Sequence, residues 1–138
     1  MKSSHILSGF VVIGLIIALL YVTGNAFYLW WTLWWFDILM HFLGGVWVGF
    51  LVWWFFNSLE QKDILENKRN IFSTPLLIFL SVLLIGILWE IFEVFVNFTA
   101  TTGESLRTDT FVDLVMDMVG GGFIALIAYK NSAKNNEI

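Results

Sequence analysis

Apolar positions along this chain fall into four long runs, at residues 6–22, 38–56, 75–96 and 110–129. Each approaches the length of about 20 residues that a helix needs to cross roughly 30 Å of hydrocarbon. Helix is the economical reading, because lipid offers no partner to unpaired backbone groups and four strands cannot close a barrel. Pro75, after Ser73 and Thr74, suits a helix start, where its missing N–H costs nothing. The pattern predicts an all-α fold, an integral membrane bundle of four transmembrane helices in one domain spanning residues 1–138. It shows no internal repeat or separate soluble module. Between the first two runs the chain carries Tyr21, Tyr28, Trp30, Trp31, Trp34 and Trp35. Amphipathic rings of this kind collect at the headgroup level, so a Trp-rich interfacial turn is expected there.

Composition agrees with this reading. Of 138 residues, 59% are hydrophobic and only 13% charged, against roughly 45–50% and about 25% in soluble domains. With no cysteine, there is no disulfide framework, thiolate metal site or thiol nucleophile. The first run follows Lys2 like the apolar part of a signal peptide, but no small-x-small cleavage site follows it, and a retained helix is expected. Basic residues enrich cytoplasmic loops. With four spans, Lys2, Lys62, Lys68, Arg69, Lys130 and Lys134 share one side, and Arg107 alone takes the other. Both termini are therefore expected in the cytoplasm, with the Trp-rich turn and a loop at 99–109 facing outward. Nothing resembles the basic stripe that nucleic-acid binding needs.

The net charge of −4 matters less than where the acids lie. Asp37, Glu90, Glu93, Asp109, Asp113 and Asp117 sit inside or at the edges of apolar runs. With Asp37, Asn97 and Asp109 level with the outer interface, a rise of 1.5 Å per residue puts His41, Glu93 and Asp113 about 6 Å deep, Glu90 about 10 Å and Asp117 about 12 Å. Spacing adds a second constraint, since residues three or four apart share a helix face. Asp37 and His41, Glu90 and Glu93, and Asp113 and Asp117 each form such a pair. Gly45 and Gly49, Gly86, and Gly120 and Gly121 continue the same faces, and small residues let helices approach closely in lipid. The three faces are therefore expected to pack together and to converge their carboxylates.

Ionised acids within a bilayer are costly unless paired, and like charges repel strongly there. Shared protons, a salt bridge to Arg107 or a bound cation would relieve the repulsion. A divalent cation does so most efficiently, and oxygen ligands with one imidazole suit Zn²⁺, Mn²⁺ or Fe²⁺, or Mg²⁺ if His41 stands behind the ligands. Any one of these residues would suit an ordinary packed polar contact. Seven at matched depth on shared faces point to a site. The expected metal ligands are His41, Glu90, Glu93, Asp113 and Asp117, with Asp37, Asp109 and Arg107 at the site mouth. No ferritin-like Glu-x-x-His pair, zinc-protease motif, serine triad or phosphate loop is present.

At these residues the chain resembles the VanZ-like membrane proteins and the related YjdF-like family of small inner-membrane proteins. The resemblance rests on Asp37-Ile-Leu-Met-His41-Phe42, an acid in the next helix (Glu90 or Glu93), and Arg107 followed by Asp113, Asp117 and Gly120. VanZ-like chains carry Asn where this one has Asp117, and Gln near the acidic position of the third helix, so this chain is the more acidic. The resemblance implies a bacterial cytoplasmic-membrane location and a cell-envelope role. Two classes of function follow as expectations. In an enzyme, a metal would activate water or polarise a group of an envelope lipid, with Glu90 or Glu93 as general base. In a binding module, the same groups would exchange ions or protons, or hold a membrane-protein partner.

Overall fold

A computed structural model of the chain describes residues 3–60, 73–96 and 104–136, and for residues 60, 73, 104–107 and 134–136 the backbone alone. Five helices follow in order: α1 (Ser3–Ala26), α2 (Leu29–Thr32), α3 (Phe36–Glu60), α4 (Ser73–Phe95) and α5 (Glu104–Asn136). No strand occurs among the described residues. Four of the helices, all but α2, are long and apolar enough to cross a membrane. Lys2, Lys62, Lys68, Arg69 and Asn97 lie outside the described residues.

Each long helix starts before the apolar run that predicts it, and all but α4 also end beyond it. A helix satisfies its own backbone hydrogen bonds and need not stop where hydrocarbon ends. At the start of α1, Ser3, Ser4 and His5 extend the helix, and the Ser8 hydroxyl donates to the Ser4 carbonyl at 2.9 Å. The largest difference is at α5, which begins at Glu104 and not at residue 110. Its opening sequence Glu-Ser-Leu-Arg-Thr-Asp places acids in the first turns, where the helix dipole favours them. Asp109 is therefore helical and not a loop residue.

The Trp-rich turn contains α2, a single turn whose N-cap Tyr28 sits in the left-handed region at φ 57°. That conformation, uncommon outside glycine, reverses the chain between α1 and α3. Trp30 then meets Phe36 edge-on, with ring centroids 4.8 Å apart. Phe36 is buried against Gly24 of α1, where an added Cβ would come within 2.7 Å of its ring.

Packing centres on α3 and α5, which run parallel and cross through glycines. A Cβ at Gly45 would collide with the Asp117 carbonyl, and one at Gly120 with the Phe42 carbonyl. Lipid tails are as apolar as leucine, so helices in a membrane gain from close fit and not from hiding from lipid. Glycine at the crossing supplies that fit. Below the crossing, Val46, Trp53, Ile78, Val82, Ile124 and Ala128 form a buried core. Helix α4 packs antiparallel on α3 and α5, with Gly121 of α5 seated on Val82. Helix α1 packs on α3 by a different device, glycine against aromatic ring: Gly9 receives Phe50, and Gly14 receives Trp47. Phe10 stacks on Trp47 at 4.8 Å, and Ser3 bonds Ser58 at 3.0 Å. Among the described residues the backbones of α1 and α4 make no close approach to each other.

Candidate functional site

The N-terminal halves of α3 and α5 and the C-terminal end of α4 meet at one end of the bundle. Buried polar side chains collect there: His41, Glu90, Glu93, Asp113 and Asp117. Each is placed by the spacing that its helix imposes. Asp37, in the first turn of α3, lies one turn before His41, and the α3–α5 glycine crossing brings Asp113 and Asp117 up to the imidazole.

His41 is the hub, and its two ring nitrogens face different groups. Nε2 faces Asp37 Oδ1 at 3.9 Å, Asp113 Oδ2 at 3.9 Å and Glu90 Oε1 at 4.0 Å, one carboxylate from each of three helices. These separations are too long for direct hydrogen bonds. Nδ1 faces Asp117 Oδ2 at 3.4 Å. Asp117 is held in a cradle of small residues: a Cβ at Gly86 would sit 2.7 Å from its Oδ2, and one at Gly44 would sit 3.6 Å from its Oδ1. Asp117, expected among the direct ligands, thus approaches the nitrogen opposite to the one that the other acids surround. Asp37, expected at the mouth, stands as close to Nε2 as Asp113 does.

Two sets of three ligand atoms lie within 4.8 Å of one another: Asp37, His41 and Asp113, and His41, Glu90 and Glu93. Glu90 is 7% exposed, and its Oε1 has no hydrogen-bond partner. A bare carboxylate oxygen in such a place is an expensive group to leave unsatisfied. Glu93 is better provided for, since its Oε1 accepts a 2.7 Å bond from the Trp89 indole N–H. Asp109 stands outside both triads, though within electrostatic range of Asp37 and Asp113. The Arg107 side chain lies outside the described residues.

Sequence reasoning missed Trp89 as a partner of the site. Its i, i+4 spacing to Glu93 was the available signal. It also missed a cleft of about 500 Å³ that leads to the cluster, lined by Gly14, Ala18 and Tyr21 of α1, His41 and Trp47 of α3, and Ile85, Trp89 and Glu93 of α4. This cleft exists because α1 and α4 flank α3 without a close approach of their backbones. Its walls are almost wholly apolar, and its ionisable lining residues apart from Tyr21 are Asp37, His41, Glu93 and Asp117.

An apolar exterior around a buried acidic centre is the plan of a membrane protein, and the family comparison agrees. The chain belongs to DUF2238, a family of predicted membrane proteins. The match spans residues 5–134, so the described helices of this DUF2238 member, save the first two residues of α1 and the last two of α5, and all of its acid and histidine cluster fall within the shared region. No curated protein and no solved structure matches the chain.

Proposed function

We propose that this membrane protein holds a divalent cation between His41 Nε2 and the carboxylates of Asp37, Glu90 and Asp113, with Glu93 next to them. The carrying observation is the gap around one nitrogen: carboxylate oxygens of Asp37, Asp113 and Glu90, from three helices, each stand 3.9–4.0 Å from His41 Nε2, with Glu90 Oε1 buried and unbonded. Two ligands on one ion at bonds of about 2.1 Å can stand no more than about 4.2 Å apart. Each oxygen's separation from Nε2 meets that limit, and the acids form two compact triads, Asp37, His41 and Asp113, and His41, Glu90 and Glu93; a shared ion would draw either triad inward by a few tenths of an ångström or more. Asp117 completes the logic from the other side of the ring. A ligating imidazole ordinarily donates its second N–H to a carboxylate, which fixes its orientation, and Asp117 is placed to accept from Nδ1.

The donor set of carboxylate oxygens and one imidazole suits Zn²⁺, Mn²⁺ or Fe²⁺, and Mg²⁺ less well. Such an ion polarises phosphoryl or carbonyl oxygens and activates water. Beside it, Glu90 and Glu93 are the proton acceptors, Glu93 oriented by Trp89. The resemblance of these motifs to VanZ-like and YjdF-like chains supports a role in the bacterial cell envelope, on a lipid or a glycan-linked lipid. The one-sided placement of Lys and Arg supports cytoplasmic termini and a site facing outward.

Metal analysis of protein purified in mild detergent tests the reading. About one equivalent of a transition metal or Mg²⁺ is expected in the wild type, with loss in His41→Ala and Asp113→Asn. A metal-free wild type that also takes up no ion when titrated would overturn the cation site and leave His41 ringed by carboxylates, a binding module without a metal.

A further inference from the structure

We infer that the cleft between α1 and α4 seats the hydrocarbon chain of a membrane lipid with an ammonium head group, the chain along Ala18, Trp47 and Ile85 and the ammonium against Asp37 and Glu93. The inference deepens the reading of this site and does not require that the cation be bound.

Shape comes first. The cleft lies within the membrane-crossing part of the bundle, between two helices whose described backbones make no close approach. Apolar cavities of this kind do not hold water, so in a bilayer hydrocarbon is the natural filling. At the roughly 30 Å³ that a water-sized group occupies in a liquid, a cleft of about 500 Å³ has room for one long chain. The volume falls within the range of about 300–1,000 Å³ usual for ligand sites.

Polarity supplies the head group. The lining is apolar except at one end, so the cleft has the polarity of an amphiphile. That polar end holds Asp37, His41, Glu93 and Asp117, and among the described side chains neither Lys nor Arg lines the cleft. Glu90, nine-tenths buried, points its unpartnered Oε1 at the same imidazole. One divalent ion offsets two carboxylates, and five surround His41. The excess favours a head group that carries an ammonium over one whose only charge is negative. Trp30 and Trp89 also line the cleft, and aromatic faces attract ammonium groups.

The test uses the full-length protein in nanodiscs of equimolar phosphatidylethanolamine and phosphatidylglycerol with identical chains. The protein is then extracted in mild detergent, and its retained lipid is quantified by mass spectrometry with and without chelator. Retention of ethanolamine lipid over glycerol lipid by about fivefold is expected, the scale of one partly exposed ion pair. It should survive chelation. Ala18→Phe and Ile85→Phe each fill the cleft away from the polar cluster, and both should cut the retained lipid severalfold while wild-type-like melting shows the fold intact. Equal retention of the two head groups, or undiminished retention in both filled variants, would overturn the inference. Lipid retained by metal-free protein counts against the cation alone, whereas metal retained without selective lipid counts against the cleft alone.

Discussion

Replacing Gly45 by alanine places one methyl group where α3 and α5 cross. The new Cβ would overlap the Asp117 carbonyl and stand 3.0 Å from the Asp117 Cα. These are backbone atoms, so no side-chain rotation makes room, and the helices must part by about 1 Å to restore contact distances near 3.5–4.0 Å. Overpacking of this kind costs about 1–3 kcal/mol, and a gap of 0.5–1 Å elsewhere along the seam forfeits a quarter to a half of each contact there. Alanine returns up to about 1 kcal/mol as the better helix former. A net loss of about 2 kcal/mol is expected. Gly122, two residues beyond Gly120 and on another face of α5, is the control: nothing lies within 4 Å of its Cβ position, so Gly122→Ala should be neutral or gain up to about 1 kcal/mol. Denaturant unfolding in detergent, followed by tryptophan fluorescence, measures both. Equal unfolding curves for the two variants would refute the glycine crossing, and with it the means by which Asp113 and Asp117 reach His41.

Four further outcomes are expected. If Asp117 orients the imidazole while the other acids face the ion, Asp117→Asn should weaken metal affinity by about 10–100-fold without abolishing it, whereas His41→Ala should abolish it; isothermal titration separates the two. Chelator should destabilise the wild type, by about 2.7 kcal/mol relative to protein with metal at a hundred times its dissociation constant, and the double variant Glu90→Gln, Asp117→Asn should melt identically with and without chelator. Trp89→Phe removes the 2.7 Å bond to Glu93, and the loss of a bond to a charged group should cost about 1.5–3 kcal/mol; a thermal melt unchanged by the substitution would show that water replaces the indole. At Tyr28, φ 57° admits Asn far better than a β-branched residue, so Tyr28→Val should be less stable than Tyr28→Asn by about 1–2 kcal/mol.

Much of this architecture was legible in the residues alone. Four apolar runs located the spans, and i, i+4 spacing showed that each acidic pair shares a face. Glycines continuing those faces showed which helices approach. Helix ends were less legible: Glu104 and its neighbours are polar, and a polar helix N-terminus resembles a loop when read by hydropathy. The division of His41 between Asp117 on one nitrogen and Asp37, Glu90 and Asp113 on the other was not legible at all. It depends on the crossing of α3 over α5 and on the space that Gly86 leaves beside Asp117, and neither follows from the sequence of one helix. The cleft was hidden for a similar reason, because it records a close approach that α1 and α4 do not make.

The outermost wall of that cleft has its own consequence. In its most hydrophobic stretch, 6% of α1 is buried, against 39% for α5, and apart from the α2 turn α1 leans on α3 alone. None of the cluster's acids or its histidine belongs to it. The chain thus divides between a three-helix chassis that holds the acid and histidine cluster in register and a fourth helix attached by rings resting in glycine notches, the buried Ile6 and the Ser3–Ser58 bond. Swinging that helix aside would expose Ile6 and break the Ser3–Ser58 bond and the ring contacts, yet every acid of the cluster and its histidine would keep its own helix and its crossing partners.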